Sequence, residues 1–337
     1  AAKTFSRSFI PSIRAPSCHN SHPLIDLRHR ERYKHTRTQG TGMQNYWSNN
    51  SASSRRWLIF ALGTTLSWGV WGALIEIPEK LGFPATLGYS VWALTMIPCA
   101  VLALRSDGWR LALHREAWVF GSLIGFLGAG GQLILFEALR SGPAFIVFPI
   151  VSLYPTITIV LSLWFLKEQA STRNWVGICL ALPAIALLSY VAPNDTLISG
   201  YSWFLLAMGV FLMWGLQAYF MKLASDRMPS ESMFFYMTLT GILLIPIAVT
   251  MTDFNQTINW TFTGPYLAGL IHVLNAVGVL CFVYAVRDGK AIIVVPMTAL
   301  APVITIVLSL AIYSRVPSSY QLVGMCMATA SIYLMAE

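Results

Sequence analysis

Long apolar segments separated by short polar ones fill the chain from Trp57 to its end. Each segment has roughly 18 to 23 residues, which is about the length that a helix needs to cross a ~30 Å hydrocarbon core. Backbone polar groups in lipid must be satisfied within the segment, so the pattern predicts helices rather than strands. The ten predicted spans are 57–77, 84–104, 117–139, 143–166, 174–191, 201–223, 232–251, 264–286, 291–313 and 319–336.

Two of these segments repeat one another. Residues 142–163 and 289–310 agree at 14 of 22 positions without a gap, and Pro155 recurs as Pro302. A repeat inside a chain indicates that its architecture is built from repeated units. Repeated halves with proline-interrupted membrane helices are typical of transporters, so this block indicates a transport function.

The repeat extends beyond this block to the whole apolar region. Trp68 in the first span matches Trp214 in the sixth, and further matches continue into the fifth and tenth spans. The two halves, 57–191 and 200–336, are therefore predicted to be five-helix units, and an odd number of spans turns the second unit upside down. The predicted fold is an all-α multi-pass membrane protein of ten transmembrane helices, arranged as two inverted-topology five-helix repeats around a central cavity.

Composition adds a basic tail to this picture. The chain is 56% hydrophobic and 11% charged, but residues 1–56 hold ten of its 22 Lys and Arg residues and only two of its 14 acidic ones. The apolar region is therefore neutral, and we expect no nucleic-acid partner. The tail is rich in Arg and Ser and lacks an initiating Met. Three interpretations stay open: an organelle transit peptide, a spurious extension upstream of Met43, and a disordered cytosolic arm.

The distribution of Lys and Arg among the loops predicts the orientation in the membrane. Short loops that are rich in these residues favour the cytoplasmic side. With the N-terminus inside, the inner loops hold nine of them and the outer loops hold three. We therefore expect both termini in the cytoplasm, with the protein in the plasma membrane, or in a plastid or other organelle membrane if the tail is a transit peptide. The nine are Arg105, Arg110, Arg115, Lys167, Arg173, Lys222, Arg227, Arg287 and Lys290.

The repeated block carries a resemblance to a known family. In both halves the sequence runs A-L/V-R-x-G-x-A, passes through P-x-x-x-L-x-P and ends in T-I-V-L-S-L. Over 57–336 the chain resembles the EamA-type members of the drug/metabolite transporter superfamily. The resemblance implies a ten-helix basket around a central cavity that opens alternately to the two sides. It also implies a small organic metabolite or drug-like solute as substrate, usually moved outward.

Two positions depart from the family pattern. Family members commonly carry an acidic residue after the fourth and ninth helices; Glu168 fits, whereas Arg315 stands at the second of these positions. Where an aromatic residue commonly precedes the Ala of the block, the second half has Tyr284 but the first half has Glu137. These departures leave the expected fold intact and leave the substrate unassigned.

Several aromatic and polar side chains are predicted near the middle of the membrane. At ~1.5 Å per residue, Trp68 lies about 16 Å into the first span, and Trp214 lies equally deep in the sixth. Indole rings normally favour the membrane interface, so these two are candidate cavity walls, with tight helix packing as the alternative. For His272 the alternative is structural hydrogen bonding. The predicted substrate-binding residues are Trp68, Trp71, Gln132, Tyr154, Trp214, Gln217, His272 and Asn275.

Two carboxylates and two prolines complete the candidate residues. Glu137 lies three residues before Arg140, which suits either a structural ion pair or a carboxylate that exchanges a coupling proton during transport. Glu76, near the outer end of the first span, is a second coupling candidate. Pro155 and Pro302 each remove a backbone hydrogen bond near mid-depth, so we expect hinges there, with packing kinks as the alternative.

The sequence argues against an enzyme. It has no H-E-x-x-H or G-x-S-x-G motif and no cysteine spacing typical of a metal site, so we expect no catalytic residues, metal or cofactor. The predicted function is a secondary transporter that exports a small organic solute by alternating access. The alternatives are an uptake carrier of the same superfamily, a channel and a membrane scaffold. Expected partners are the solute and membrane lipid, with a coupling proton as an open addition; the oligomeric state is not predicted.

Overall fold

The computed structural model describes residues 55–141, 144–190, 202–314 and 316–336, and every regular element in these ranges is helical. The three interpretations of the tail concern residues 1–56, of which residues 1–54 lie outside the described residues. The α-helices are α1 Arg56–Leu74, α2 Glu76–Lys80, α3 Ala85–Ser106, α4 Arg115–Gly125, α5 Gly131–Ser141, α6 Ala144–Ser152, α7 Pro155–Trp164, α8 Thr172–Leu188, α9 Ser202–Ala224, α10 Ser230–Leu243, α11 Ile245–Thr250, α12 Leu267–Asp288, α13 Ala291–Thr298, α14 Pro302–Tyr313 and α15 Ser319–Ala336. Single π-helical turns precede α5 at Phe126–Gly130 and α12 at Phe262–Tyr266.

Seven helical segments of the described chain are long and apolar enough to cross a membrane, and shorter apolar helices accompany them. The prediction of an all-α multi-pass membrane protein is therefore confirmed, while the count of ten spans stays a prediction. The seven segments are Arg56–Lys80, Ala85–Ser106, Arg115–Ser141, Ser202–Ala224, Ser230–Thr250, Phe262–Asp288 and Ala291–Tyr313.

The two repeated prolines interrupt their spans at matching places. Pro155 is the first residue of α7 and Pro302 is the first residue of α14, so each proline starts a new helix after a short break. Proline suits a first helical position because its fixed φ is already helical and its missing N–H would have no partner there. The interruptions are thus real features of the backbone, and whether they act as hinges stays a prediction.

The two halves approach each other closely at a matched pair of glycines. Gly69 of α1 lies against α14, where an added Cβ would be 2.5 Å from Cβ of Ile304. Gly215 of α9 lies against α7, where an added Cβ would be 2.5 Å from Cβ of Ile157. Each contact joins a helix of one half to a helix of the other, and the repeat relates the two contacts. Glycine is required at both positions because no side chain fits.

Threonine side chains reinforce the same two crossings. The Oγ1 of Thr158 donates to the carbonyl of Gly215 at 2.9 Å, and the Oγ1 of Thr305 donates to the carbonyl of Gly69 at 2.9 Å. Such bonds between helices satisfy hydroxyl groups that would otherwise be unpaired in an apolar interior. The packing of the halves is therefore pseudo-symmetric at the level of single hydrogen bonds.

The loops that carry the nine Lys and Arg residues meet at one end of the bundle, here called the basic end. Glu168, after α7, accepts from the backbone N–H groups of Ala291 and Ile292, both at 3.0 Å. Arg227 and Glu116 approach each other there at 3.9 Å. Loops whose contacting residues are up to 124 positions apart in sequence thus lie side by side, as alternate loops of a membrane bundle should.

Lys222 ties α9 to the end of α12 at this basic end. Its Nζ donates to the carbonyl oxygens of Val286, Arg287 and Gly289 at 3.1, 3.2 and 2.6 Å. The last carbonyls of a helix have no partner within it, and the helix dipole places negative charge there. Lys222 therefore supplies both hydrogen bonds and charge to the C-terminus of α12.

At the other end of the bundle, loops without this basic excess meet one another. The amide nitrogen of Asn259 donates to the carbonyl of Leu81 at 2.9 Å, and its backbone N–H donates to Gly82 at 3.0 Å. The hydroxyl groups of Thr86 and Thr252 lie 2.7 Å apart. The two coupling candidates, Glu137 and Glu76, lie at this second end.

Candidate functional site

The first cluster of candidate residues lies where α1 of one half crosses α12 of the other. The ring of Trp68 covers Gly278, where an added Cβ would be 2.5 Å from the indole, and its centroid is 5.3 Å from that of Phe282. The indole Nε1 is buried and has no hydrogen-bond partner among the described residues. Trp68 thus packs against α12 and also has an indole N–H group without an acceptor.

One helical turn along α1, Trp71 contacts His272. Its Nε1 donates to Nδ1 of the imidazole at 3.1 Å, and His272 is only 6% exposed. The opposite ring nitrogen, Nε2, is buried without a partner in the described part of the chain. Its neighbour on α3 is Gly88, where an added Cβ would lie 3.6 Å from Nε2. That Trp71 and His272 bind substrate stays a prediction.

Asn275 has a partner that the sequence analysis missed. The Nε1 of Trp92, on α3, donates to its Oδ1 at 2.9 Å. Trp92 lies in the middle of its span, as Trp68 does, so the same argument from depth would have identified it. Because an indole N–H can only donate, the amide oxygen of Asn275 is the bonded atom and the amide nitrogen faces elsewhere.

The second cluster lies where α9 crosses the π-helical turn and α5 of the first half. Trp214 covers Gly131, where an added Cβ would be 2.6 Å from the indole nitrogen, and its Nε1 donates to the carbonyl of Gly128 at 3.2 Å. The ring of Tyr154 meets that of Trp214 edge-on, with centroids 5.9 Å apart. The side chain of Gln217 covers Gly128.

The two clusters are related by the repeat but differ at one hydrogen bond. Trp68 on Gly278 corresponds to Trp214 on Gly131, whereas the carbonyl that receives the Trp214 proton belongs to Gly128 within the π-helical turn. A π-helical turn shifts the backbone hydrogen bonds and leaves a carbonyl oriented for another donor. The equivalent position in the second half is Asn275, within the regular helix α12. Trp68 therefore lacks the acceptor that Trp214 has.

The structure brings seven of the eight predicted substrate-binding residues into these two clusters, and each cluster contains residues of both halves. Gln132 is half-buried on α5 next to Gly131. That all eight line a single central pocket stays a prediction. No three His, Cys, Asp or Glu side chains of the described ranges are placed to hold a metal ion together.

The two coupling candidates form ion pairs at the end away from the basic one. Glu137 contacts Arg140 at 3.1 Å, with side-chain exposures of 36% and 72%, and Glu76 contacts Lys80 at 2.5 Å. This geometry agrees with the structural interpretation of Glu137. A role in proton coupling is compatible with it only if the pair separates during transport.

Comparison with known families agrees with this arrangement. The sequence profile described as the EamA-like transporter family matches residues 55–190 and again residues 201–336, once in each half. The internal repeat is thereby confirmed. The two matched regions cover most of the chain, so the similarity to the family is not limited to one short motif.

Individual relatives and one solved structure are also similar. An uncharacterized transporter, YvbV, of Bacillus subtilis is 28% identical over 197 residues, 57% of this chain and 63% of that protein. An uncharacterized protein of Methanocaldococcus jannaschii, MJ1333.1, is 46% identical over 59 residues, 18% of this chain and 43% of that protein. The chain thus covers less than two thirds of either relative. A crystal structure at 16% identity matches the fold with a TM-score of 0.67, covering 85% of this chain and 96% of the other.

Proposed function

Because this chain belongs to the EamA-like transporter family, we propose that it is a secondary transporter that moves a small organic solute by alternating access. The observation that carries the proposal is the matched crossing of the halves at Gly69 and Gly215, beside which the two aromatic clusters lie. Inverted halves that meet around a mid-membrane site can rock against each other and expose that site to one side at a time. We propose no catalytic activity.

The orientation follows from the charge of the two ends. Nine Lys and Arg residues in the loops of the basic end favour the cytoplasmic side. We propose ten spans with both termini in the cytoplasm, in the plasma membrane, and transport in the direction of export. Uptake by the same fold is the alternative direction.

Transport can be tested in proteoliposomes against a panel of isotopically labelled metabolites, with unlabelled solute as the internal pool. We expect at least one solute to enter with saturable kinetics and to enter faster when the same solute is present inside, because a carrier returns more quickly when loaded. A channel would instead give unsaturable, electrogenic flux that internal solute does not change. Absence of flux with the whole panel would favour a membrane scaffold.

The coupling hypothesis concerns Glu137. Glu137→Gln keeps the shape of the side chain and removes its titration and its ion pair with Arg140. If Glu137 exchanges the coupling proton, the variant loses pH-driven accumulation but keeps downhill exchange, as measured in proteoliposomes with and without a pH gradient. Unchanged pH dependence in Glu137→Gln shows that the residue is structural. Arg140→Gln is the matched control, since it breaks the same ion pair and keeps the carboxylate.

A further inference from the structure

Two N–H groups in the first cluster are buried without an acceptor. The Nδ1 of His272 accepts the indole proton of Trp71, so a neutral imidazole carries its own hydrogen on Nε2. The Nε1 of Trp68 carries a hydrogen in every state. Both Nε2 of His272 and Nε1 of Trp68 lack a partner among the described residues. The cluster therefore presents two unused donors.

A third donor lies beside them. The Oδ1 of Asn275 is occupied by Trp92, so its amide group has only N–H bonds left to offer. Trp68 and Trp71 are three residues apart on α1, which separates their levels by roughly 4.5 Å along the helix axis. Trp68 covers Gly278 and Trp71 donates to His272, so the unused donors lie along one crossing of α1 with α12.

Buried donors without acceptors are costly, and native proteins rarely contain them without a reason. The second half shows that this fold can satisfy the same group, because Trp214 donates to the carbonyl of Gly128. The first half has no such carbonyl for Trp68. This asymmetry indicates that Trp68 is reserved for an acceptor that comes from outside the chain.

Charge limits what that acceptor can be. Each described Lys, Arg, Asp and Glu residue of the helices lies within about two turns of a segment end, so the level of Trp68 and His272 carries no formal charge. An anion would lack the cation that normally matches it in an apolar site. The partial positive charges of these N–H groups would repel a cation, and an ammonium group would find no acceptor among them.

We propose that the first cluster binds an uncharged solute through its hydrogen-bond acceptors, with Trp68 Nε1 and His272 Nε2 as the donors. Amides, ketones and neutral nitrogen heterocycles have the required chemistry, and the surrounding indole rings suit a flat molecule. This inference specifies the class of solute for the proposed transport function, and it rests on that function.

Two sets of small molecules of similar shape test the charge preference. Nicotinamide is uncharged at neutral pH, nicotinate is an anion and 1-methylnicotinamide is a cation; uracil and orotate form a second neutral and anionic set. Binding to the purified full-length protein in detergent is measured by calorimetry. We expect at least one neutral member to bind at least about tenfold more tightly than its charged analogues. Equal or tighter binding of a charged analogue, or no binding by either neutral member, overturns the proposal.

Variants of the two donors test the contacts. Trp68→Phe and His272→Asn each remove one donor, and each should weaken binding of the neutral probe by roughly tenfold, the effect of one lost hydrogen bond. His272→Asn keeps an acceptor near the position of Nδ1 for Trp71. His272→Gln keeps a donor near the position of Nε2 and should bind more tightly than His272→Asn. Trp164→Phe, at a residue 73% exposed, is the control that leaves binding unchanged.

Stability separates a ligand contact from a packing role. Trp68→Phe and Trp214→Phe remove the same atoms at matched positions, but only Trp214 donates to the protein. We expect Trp214→Phe to lower the melting temperature more than Trp68→Phe, since only the Trp214 variant loses a hydrogen bond made within the protein. Equal losses of stability, or unchanged binding in Trp68→Phe and His272→Asn, overturn the proposal. Saturable exchange of charged solutes, with none of neutral solutes, would contradict this inference and leave the transporter function standing. The two failures can be told apart because binding and transport are measured separately.

Discussion

Replacing Gly215 by valine should unfold or misassemble the protein. An added Cβ there lies 2.5 Å from Cβ of Ile157 and 2.9 Å from the carbonyl oxygen of Tyr154, and neither atom is at the end of a flexible side chain. Overpacking of a well-packed interior costs typically 1–3 kcal/mol and occasionally more, so we expect a loss of about 3 kcal/mol or more for Val. The measurement is thermal melting of purified protein, followed by size-exclusion chromatography.

Gly209 offers a matched control on the same helix. An added Cβ at Gly209 has no heavy atom within 4 Å, so Gly209→Val makes the same change in helix propensity without the clash. We expect Gly209→Val to melt near the native temperature, and Gly69→Val, the repeat equivalent, to behave like Gly215→Val. Similar melting of Gly215→Val and Gly209→Val would show that the halves do not meet at Gly215.

Replacing Lys222 by methionine should weaken the basic end of the bundle. The apolar stem survives in methionine, but the three hydrogen bonds to the carbonyls at the end of α12 are lost. The carboxylates of Glu168, Asp226 and Asp288 act on the same ammonium group and would be left without it. Hydrogen bonds that involve a charged group contribute about 1.5–3 kcal/mol. Because Lys222 is only half-buried, we expect its replacement to cost about 3 kcal/mol in total.

The control for Lys222 is Arg227, five residues later. Arg227 is exposed and its pairing with Glu116 is long, at 3.9 Å, so Arg227→Met should change the melting temperature little. Melting is compared at low and high salt, because a surface ion pair is screened by salt whereas the Lys222 contacts are partly buried. A Lys222→Met variant that is as stable as Arg227→Met would refute the role given to Lys222.

Repetition made much of the fold predictable. The duplicated prolines predicted two interruptions, and both helices α7 and α14 begin at the proline. Depth along a span predicted that Trp68 and Trp214 lie inside the bundle, and each ring covers a glycine of the opposite half. These successes have one cause: each feature depends on a helix of known length and on its duplicated copy.

Features that depend on contact between distant helices could not be predicted. Trp214 donates to a carbonyl of the π-helical turn at Phe126–Gly130, whereas Trp68 has no equivalent acceptor in the described part of the chain. No local pattern in the sequence predicts this turn. Lys222 was recognisable only as a basic residue in an inner loop, because its partners lie 64 to 67 residues later. Trp92 was predictable by depth and was overlooked.

Opposite orientation of the two halves is the claim on which transport by alternating access depends. Asp107 and Gln256 lie in equivalent loops of the first and second half, so labelling of single cysteines at these positions, in a variant without native cysteines, tests it most directly. With membrane-impermeant reagent we predict that Asp107→Cys reacts only from the cytoplasmic side and Gln256→Cys only from the outside. Reaction of both cysteines from the same side would contradict inverted halves, and with them the proposed mechanism.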